Sequence, residues 1–450
     1  MSSLFSRHWI FILSAGIFIA CSPTAFISRE AKKDLITSGD LQNAHVGIAI
    51  YDAGANKTLY SYQSNKYFVP ASNTKLFTCY AAMKYLGDSL TGLFYTENDT
   101  AVYLVPAGDP SLLHKDFKEQ PVIDFLQKVK KKIYITEANW KENGLGFGWS
   151  WDDYNSDYMA ERSPLPVYGN LIKWVQEKDS SKKNTENGFD NPVSIYSIPE
   201  VNWKVRLNPE TGTKSFSVKR SRDENIFFIT EGNETKKEQE VPFVTNGLQS
   251  AIELLTDTIG KEIFISSKQQ ATNNKQQTIK SRPLDSMLRP MMHRSDNFFA
   301  EQSLLMVSQK LIGYMNDAKV IDTLLRSDLR DLPQKPRWVD GSGLSRYNLF
   351  SPQDFIWLLN KMKIEFGLQR LKEILPTGGT GTLNNFFKKD SGYIFAKTGT
   401  LSGHLALSGY LYTRKNKLLF FSVLVNNHNG STLNIRCQAE TLLTAIRNKF

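Results

Sequence analysis

Three cysteines and six histidines in 450 residues leave little from which to build a metal centre. Neither Cys79 nor Cys437 shows metal-ligand spacing and the histidines are scattered, so no metal and no organic cofactor is expected. After its first twenty residues the sequence has no apolar run long enough to cross a bilayer. It contains no internal repeat and no nucleic-acid-binding motif. No single basic block accounts for the net charge of +10. The densest run, Lys128-Val129-Lys130-Lys131-Lys132, reads most simply as a solvated helix end. A basic surface of this kind suits an anionic partner such as a cell wall. A hydrophobic content of 41% with 22% charged residues is that of a globular chain, long enough for two or three domains.

The N-terminus carries a targeting segment. Arg7 and His8 precede an apolar run from Trp9 to Ala20, which has the length of a signal core and is short for a permanent anchor. The run ends Phe18-Ile19-Ala20-Cys21-Ser22. This resembles a bacterial lipobox, with Phe18 where leucine is preferred, and implies that residues 1–21 are a lipoprotein-type signal with Cys21 as the lipidated residue. Ordinary cleavage near Ala20 is the alternative. Either way the protein is exported, periplasmic and, with a lipid on Cys21, attached to a membrane. Cys79 falls on the apolar face of a helix and is expected as a buried free thiol.

Strands are expected over Ala44–Asp52 and Lys57–Tyr62, joined by the Asp52-to-Asn56 turn. A helix follows, marked by Leu76, Phe77, Tyr80, Met83 and Leu86 and stopped by Gly87. Beyond Gly87 the character changes. Short strands alternate with polar turns, and an aromatic, acidic, Gly-rich loop runs through Trp149, Trp151, Asp152 and Tyr158. Ser267 to Lys280 is rich in Gln, Asn and Lys and reads as a mobile connection. Helices return at Leu284–Met292 and Phe298–Lys310. A short strand at Tyr393–Ala396 runs into Lys397, a hairpin covers Leu405–Tyr412 and Leu418–Asn426, and a last helix spans Leu433–Ile446. The organisation expected is one domain of residues 35–90 and 254–450, interrupted by an inserted region, 91–253, itself split.

Chemistry concentrates at Pro70-Ala71-Ser72-Asn73-Thr74-Lys75. Residues three apart on a helix share a face, so Ser72 and Lys75 meet without help from the rest of the fold. A serine hydroxyl needs a neighbour to take its proton, and a lysine can do so only as a neutral amine, which burial favours. The helix start adds free N–H groups and partial positive charge beside Ser72, suited to an oxyanion. Taken alone the motif is weak, since an ordinary capped helix reads the same way.

Two further motifs change the weight. Ser295-Asp296-Asn297 lies between two helices, and Lys397-Thr398-Gly399 ends a strand. Ser-x-x-Lys, Ser-x-Asn and Lys-Thr-Gly in this order are the signature of penicillin-binding proteins and serine β-lactamases. The long gap from Ser72 to Ser295, Gly108-Asp109-Pro110-Ser111-Leu112, the Trp149/Trp151/Asp152 loop, Ser281-Arg282-Pro283-Leu284, Asp340-Gly341-Ser342-Gly343-Leu344-Ser345 and the Lys397–Thr400 edge resemble the class C low-molecular-mass penicillin-binding proteins, a D-alanyl-D-alanine carboxypeptidase/endopeptidase family. The resemblance spans essentially the whole mature chain and is weaker at 160–170 and 267–280.

It implies an α/β (α+β) transpeptidase-like fold, an antiparallel sheet flanked by helices, with the large insertion between the first two motifs. It implies that Ser72 forms an acyl-enzyme on D-Ala-D-Ala stem peptides of peptidoglycan and is acylated by β-lactams. Lys75 is the base, Ser295 relays a proton to the leaving amine, Asn297 holds the substrate amide and Lys397 supplies fixed positive charge. Thr398 and Thr400 receive the terminal carboxylate beside Gly399, and the N–H groups of Ser72 and Thr400 form the oxyanion hole. Trp149 and Asp152 of the insertion would meet the amino end of a diaminopimelate side chain. Three readings compete. They are a β-lactamase, a non-enzymatic wall-binding or penicillin-sensing protein, and an esterase or D-amino-acid peptidase. The oligomeric state is not legible.

Overall fold

The most apolar stretches of the chain become the middle of one sheet. The computed structural model describes residues 23–178, 193–208, 215–266 and 275–450. In it Ile394–Leu401, His404–Tyr412, Leu418–Asn426, His45–Asp52 and Lys57–Tyr62 follow one another in a five-stranded, wholly antiparallel sheet. The central strands are buried on both faces, which explains their near-continuous hydrophobicity. One face carries a helical core that includes Lys75–Tyr85, Leu284–His293, Asn297–Ile312, Asp317–Arg326 and Pro352–Phe366. The other face is covered by Pro23–Ala31 and Thr432–Lys449.

The insertion has its own core. Ser89–Glu97 and Ala101–Pro106 are antiparallel neighbours, and Lys132–Ile135 and Ile263–Ile265 add to them in parallel. Two three-stranded sheets complete it. One joins Lys204–Leu207, Ile226–Thr230 and Ser217–Arg220, and the other Lys236–Pro242, Leu171–Lys178 and Val193–Ile198.

Packing moves both expected domain boundaries. The helix Gln249–Ile259, which a boundary at 253/254 would cut, buries Leu254, Leu255 and Ile259 in the insertion's core. The strand Gln277–Pro283 pairs with Ser89–Glu97 as the fifth strand of the insertion's sheet. The chain re-enters the helical core at Leu284. The polar tail of the stretch expected to be mobile is thus an edge strand, whose Gln, Lys and Arg side chains blunt that edge. Residues 267–274 lie outside the described residues. At the other end, Ile27 and Ala31 are buried against the catalytic sheet, so that domain begins before residue 35.

Buried polar contacts clamp the insertion to the helical core. Arg162 is fully buried and ion-pairs with Asp317 (2.5 Å), Glu142 (3.3 Å) and Glu301 (3.5 Å). Gln302 donates to the carbonyls of Gly108 (2.9 Å) and Ser163 (3.0 Å).

Candidate active site

Ser72 sits on a 3-10 turn, Ala71–Thr74, that leads into the helix Lys75–Tyr85. The turn is pinned from the sheet. Asn426 accepts from the Val69 N–H (2.6 Å) and donates back to the Val69 carbonyl (3.0 Å). Asn73 turns its amide nitrogen to the Lys397 carbonyl (2.8 Å) and its oxygen to the N–H (3.2 Å) and hydroxyl (2.8 Å) of Ser408. Gly399 is needed where the edge strand passes this turn, because a Cβ there would stand 2.6 Å from the Pro70 carbonyl oxygen and 3.0 Å from the Ser72 nitrogen.

Lys75 Nζ donates to Ser72 Oγ (3.0 Å), Asn297 Oδ1 (2.6 Å) and the Ser342 carbonyl (2.7 Å). Burial pushes its ammonium down to about 8, against the opposing pull of Asp340, Glu301 and Asp296. Desolvation thus brings the neutral amine within reach of ordinary pH.

The second cluster stands on the edge strand. Lys397 is fully buried and donates to Ser295 Oγ (2.8 Å) and the Thr398 carbonyl (2.7 Å). Ser295 adopts φ 62°, a left-handed conformation rare for a residue with a side chain, just before Asp296 caps the helix Asn297–Ile312 by accepting from Phe299 N (3.0 Å). Burial, then Lys75 and Arg436, hold the Lys397 ammonium well below its ordinary range. An anion arriving beside Lys397 would pull the other way, toward the ammonium.

The structure brings Ser72, Lys75 and Asn297 into one hydrogen-bonded set and Ser295 and Lys397 into another. Thr398 is buried, whereas Thr400 is exposed and accepts from Arg436 Nη2 (2.6 Å). Trp149 and Asp152 separate. Trp149 is half-buried, and its indole N–H donates to Asp340 (3.0 Å) with Arg162 over its ring. Asp152 is exposed on the turn Trp151–Asp153. Cys21 lies outside the described residues. Cys79 is a buried free thiol pushed up to about 12 by burial, and Cys437 is exposed and free. Among the described residues, no three His, Cys, Asp or Glu side chains are grouped to hold a metal ion, and no helix is long and apolar enough to cross a membrane.

Several contributors escaped the motif reading. Fully buried Asp340 accepts from Gly343 N (2.8 Å), Ser345 N (2.6 Å) and Asn348 Nδ2 (2.7 Å) and so fixes the loop whose Ser342 carbonyl binds Lys75. Glu301 accepts from Ser342 N (2.7 Å), and burial beside Asp340 pushes its carboxyl up to about 8. It lies one helical turn after Asn297, a spacing that marked it as sharing that face. The insertion reaches the site through the Tyr158 carbonyl, which accepts from Asn297 Nδ2 (2.9 Å). Arg436, on the last helix, carried no sequence signal.

Comparison with known proteins agrees with this geometry. The model of the D-Ala-D-Ala carboxypeptidase 3 (S13) family matches residues 29–446. The chain is 26% identical to a D-alanyl-D-alanine carboxypeptidase of Actinomadura sp. (strain R39), over 89% of this chain and 81% of that one. It is 20% identical to a D-alanyl-D-alanine carboxypeptidase of Haemophilus influenzae, over 91% of each. Among solved structures, penicillin binding protein 4 of Haemophilus influenzae superposes with a TM-score of 0.69 at 19% identity, over 94% of this chain and 98% of that one, which establishes the shared fold. With its family model matched from end to end of the catalytic domain and across the insertion, the chain belongs to the D-Ala-D-Ala carboxypeptidase 3 (S13) family.

Proposed function

We propose that the protein is a serine-type D-Ala-D-Ala carboxypeptidase and/or endopeptidase that cleaves peptidoglycan stem peptides through an acyl-enzyme on Ser72. One observation carries the residue assignment. A fully buried lysine, lowered to about 8, donates to the Ser72 hydroxyl at 3.0 Å and to Asn297 at 2.6 Å.

In the neutral form Lys75 takes the Ser72 proton as Oγ attacks the carbonyl of the D-Ala-D-Ala bond. The tetrahedral oxyanion is received by the N–H groups of Ser72 and Thr400, and the close passage of Gly399 by the Ser72 turn supports that pairing. Ser295, held by Lys397, relays to the leaving amine the proton that Lys75 took from Ser72, so that its own hydroxyl and the neutral Lys75 are both restored. C–N cleavage leaves the acyl group on Ser72, and water then releases it. Asn297 orients both Lys75 and the substrate amide. Thr398 and Thr400 face the terminal carboxylate. A β-lactam would follow the same acylation.

Trp149 is committed to Asp340 and acts through that loop. The exposed Asp152 remains as the acidic group offered to the amino end of a diaminopimelate side chain. A substrate outside the cytosol fits an exported protein, and Cys21 is the residue that would carry the lipid. Cys21→Ser should then release the protein from the membrane fraction.

The test is covalent labelling with a fluorescent penicillin on a denaturing gel. Wild type should give a band that Ser72→Ala loses. No band from folded wild type, combined with rapid nitrocefin turnover, would mean a β-lactamase. No band and no turnover would mean an idle wall-binding protein. Product analysis on muropeptides then separates carboxypeptidase from endopeptidase action.

A further inference from the structure

Arg436 projects from the helix Thr432–Lys449 onto the edge strand Ile394–Leu401. Its guanidinium is half-buried, with Phe386 under it at 5.7 Å, and it stays charged because arginine does not lose its proton in proteins. Among the described residues no carboxylate pairs with it. Its hydrogen-bond partner is the neutral hydroxyl of Thr400, at 2.6 Å. A partly desolvated guanidinium that meets a hydroxyl and a ring but no carboxylate retains donors and charge suited to an anion. The contact also has a direction. Thr400 Oγ1 is the acceptor from Arg436, so the hydroxyl proton is left to point elsewhere and donate. Thr398 lines the same small hollow as Arg436. Arg436 and Lys75 both lie close enough to Lys397 for their charges to bear on it.

We propose that Arg436 is the specificity-determining residue for the substrate's free C-terminal carboxylate, supplying the positive charge beside Thr398 and Thr400 and turning the Thr400 hydroxyl outward as a donor. This rests on the D-Ala-D-Ala reading above and deepens it. The motif residues Lys397, Thr398 and Thr400 by themselves offer one buried amine, already held by Ser295 and the Thr398 carbonyl, and two hydroxyls. Arg436 adds a cation that no approach to neutrality can remove. It would make the enzyme prefer a peptide acid to the corresponding amide.

The experiment compares D-alanine release from an N-acylated peptide ending in D-Ala-D-Ala with D-alaninamide release from its C-terminal amide. Wild type should prefer the acid. In Arg436→Ala, kcat/KM for the acid should fall about 10- to 100-fold, mostly through KM, as expected for losing a charged hydrogen-bonding partner, while the amide changes by less than about threefold. Arg436→Lys should keep an intermediate preference. Arg436→Gln keeps a donor for Thr400 without the charge and should behave nearly as Ala. It also answers the question if Ala melts early. An acid/amide ratio unchanged in Ala and Gln overturns the role of Arg436 and leaves the D-Ala-D-Ala reading intact. Wild type that cleaves acid and amide equally does the same. Folded wild type that cleaves neither peptide sinks both.

Discussion

Lys75 and Lys397 are both fully buried beside the same serine turn, and their surroundings are opposite in sign. Lys75 faces Asp340, Glu301 and Asp296, behind which Arg162 of the insertion balances Glu301, Asp317 and Glu142. Lys397 is lowered by burial first and then by Lys75 and Arg436, with no acidic counterpart among the described residues to oppose them. One side is a closed network of paired charge. The other is an open, electropositive edge. The difference separates two tasks. Under the proposed mechanism the paired side would hold the base near the pH at which it works, and the unpaired side would receive the anion that the substrate brings.

The largest effect should come from removing the two lysines in turn. Lys75→Met should lower the second-order acylation constant with a fluorescent penicillin by about 10³- to 10⁴-fold, the upper range for a positioned base. Lys397→Met should cost about 10²- to 10³-fold, the scale of lost electrostatic stabilisation. The reverse order would make Lys397 the base.

Arg162→Met tests the paired side through stability. It strands Asp317, Glu301 and Glu142 without their cation and should destabilise the fold by about 3–5 kcal/mol, seen as a lower Tm. Arg436→Ala on the open side should change stability by under about 1 kcal/mol, because it breaks no ion pair. Similar losses from both would erase the distinction.

A pH profile sharpens it further. Lys75 is lowered to about 8, and only its neutral amine accepts the serine proton. Acylation should therefore rise about tenfold per pH unit below 8 and level off above it. A flat profile from pH 6 to 9 would remove Lys75 from that role. The smallest effects concern the aromatic loop. Trp149→Phe loses one hydrogen bond to Asp340 and should cost about 1 kcal/mol in thermal unfolding. Asp152→Ala should leave stability within about 0.5 kcal/mol, while slowing cleavage of a meso-diaminopimelate peptide. Unchanged cleavage would remove Asp152 from substrate recognition.

The motifs were legible because each is local. Ser72 and Lys75 meet through helical spacing, and Asn297 and Lys397 announce themselves at a helix start and a strand end. The hairpin His404–Tyr412 and Leu418–Asn426 was equally plain from its continuous apolar runs. Gln277–Pro283 was not, because a polar edge strand is defined by its partner, Ser89–Glu97, far away in sequence. The helix Gln249–Ile259 is cut by the expected boundary at 253/254 yet packs into the insertion's core, since an amphipathic pattern shows that a face is buried and not against what.

By itself, then, the sequence determined the pairing of Ser72 with Lys75, the order of the three motifs and the presence of an insertion, all of which follow from residue type and short-range geometry. Only the tertiary structure decided how much charge each lysine can keep, that Arg162 carries the insertion's counter-charge into the catalytic core, and that Arg436 reaches Thr400 from the last helix. Those are properties of desolvation and of fields summed over residues distant in the chain, and they exist only once the chain has folded.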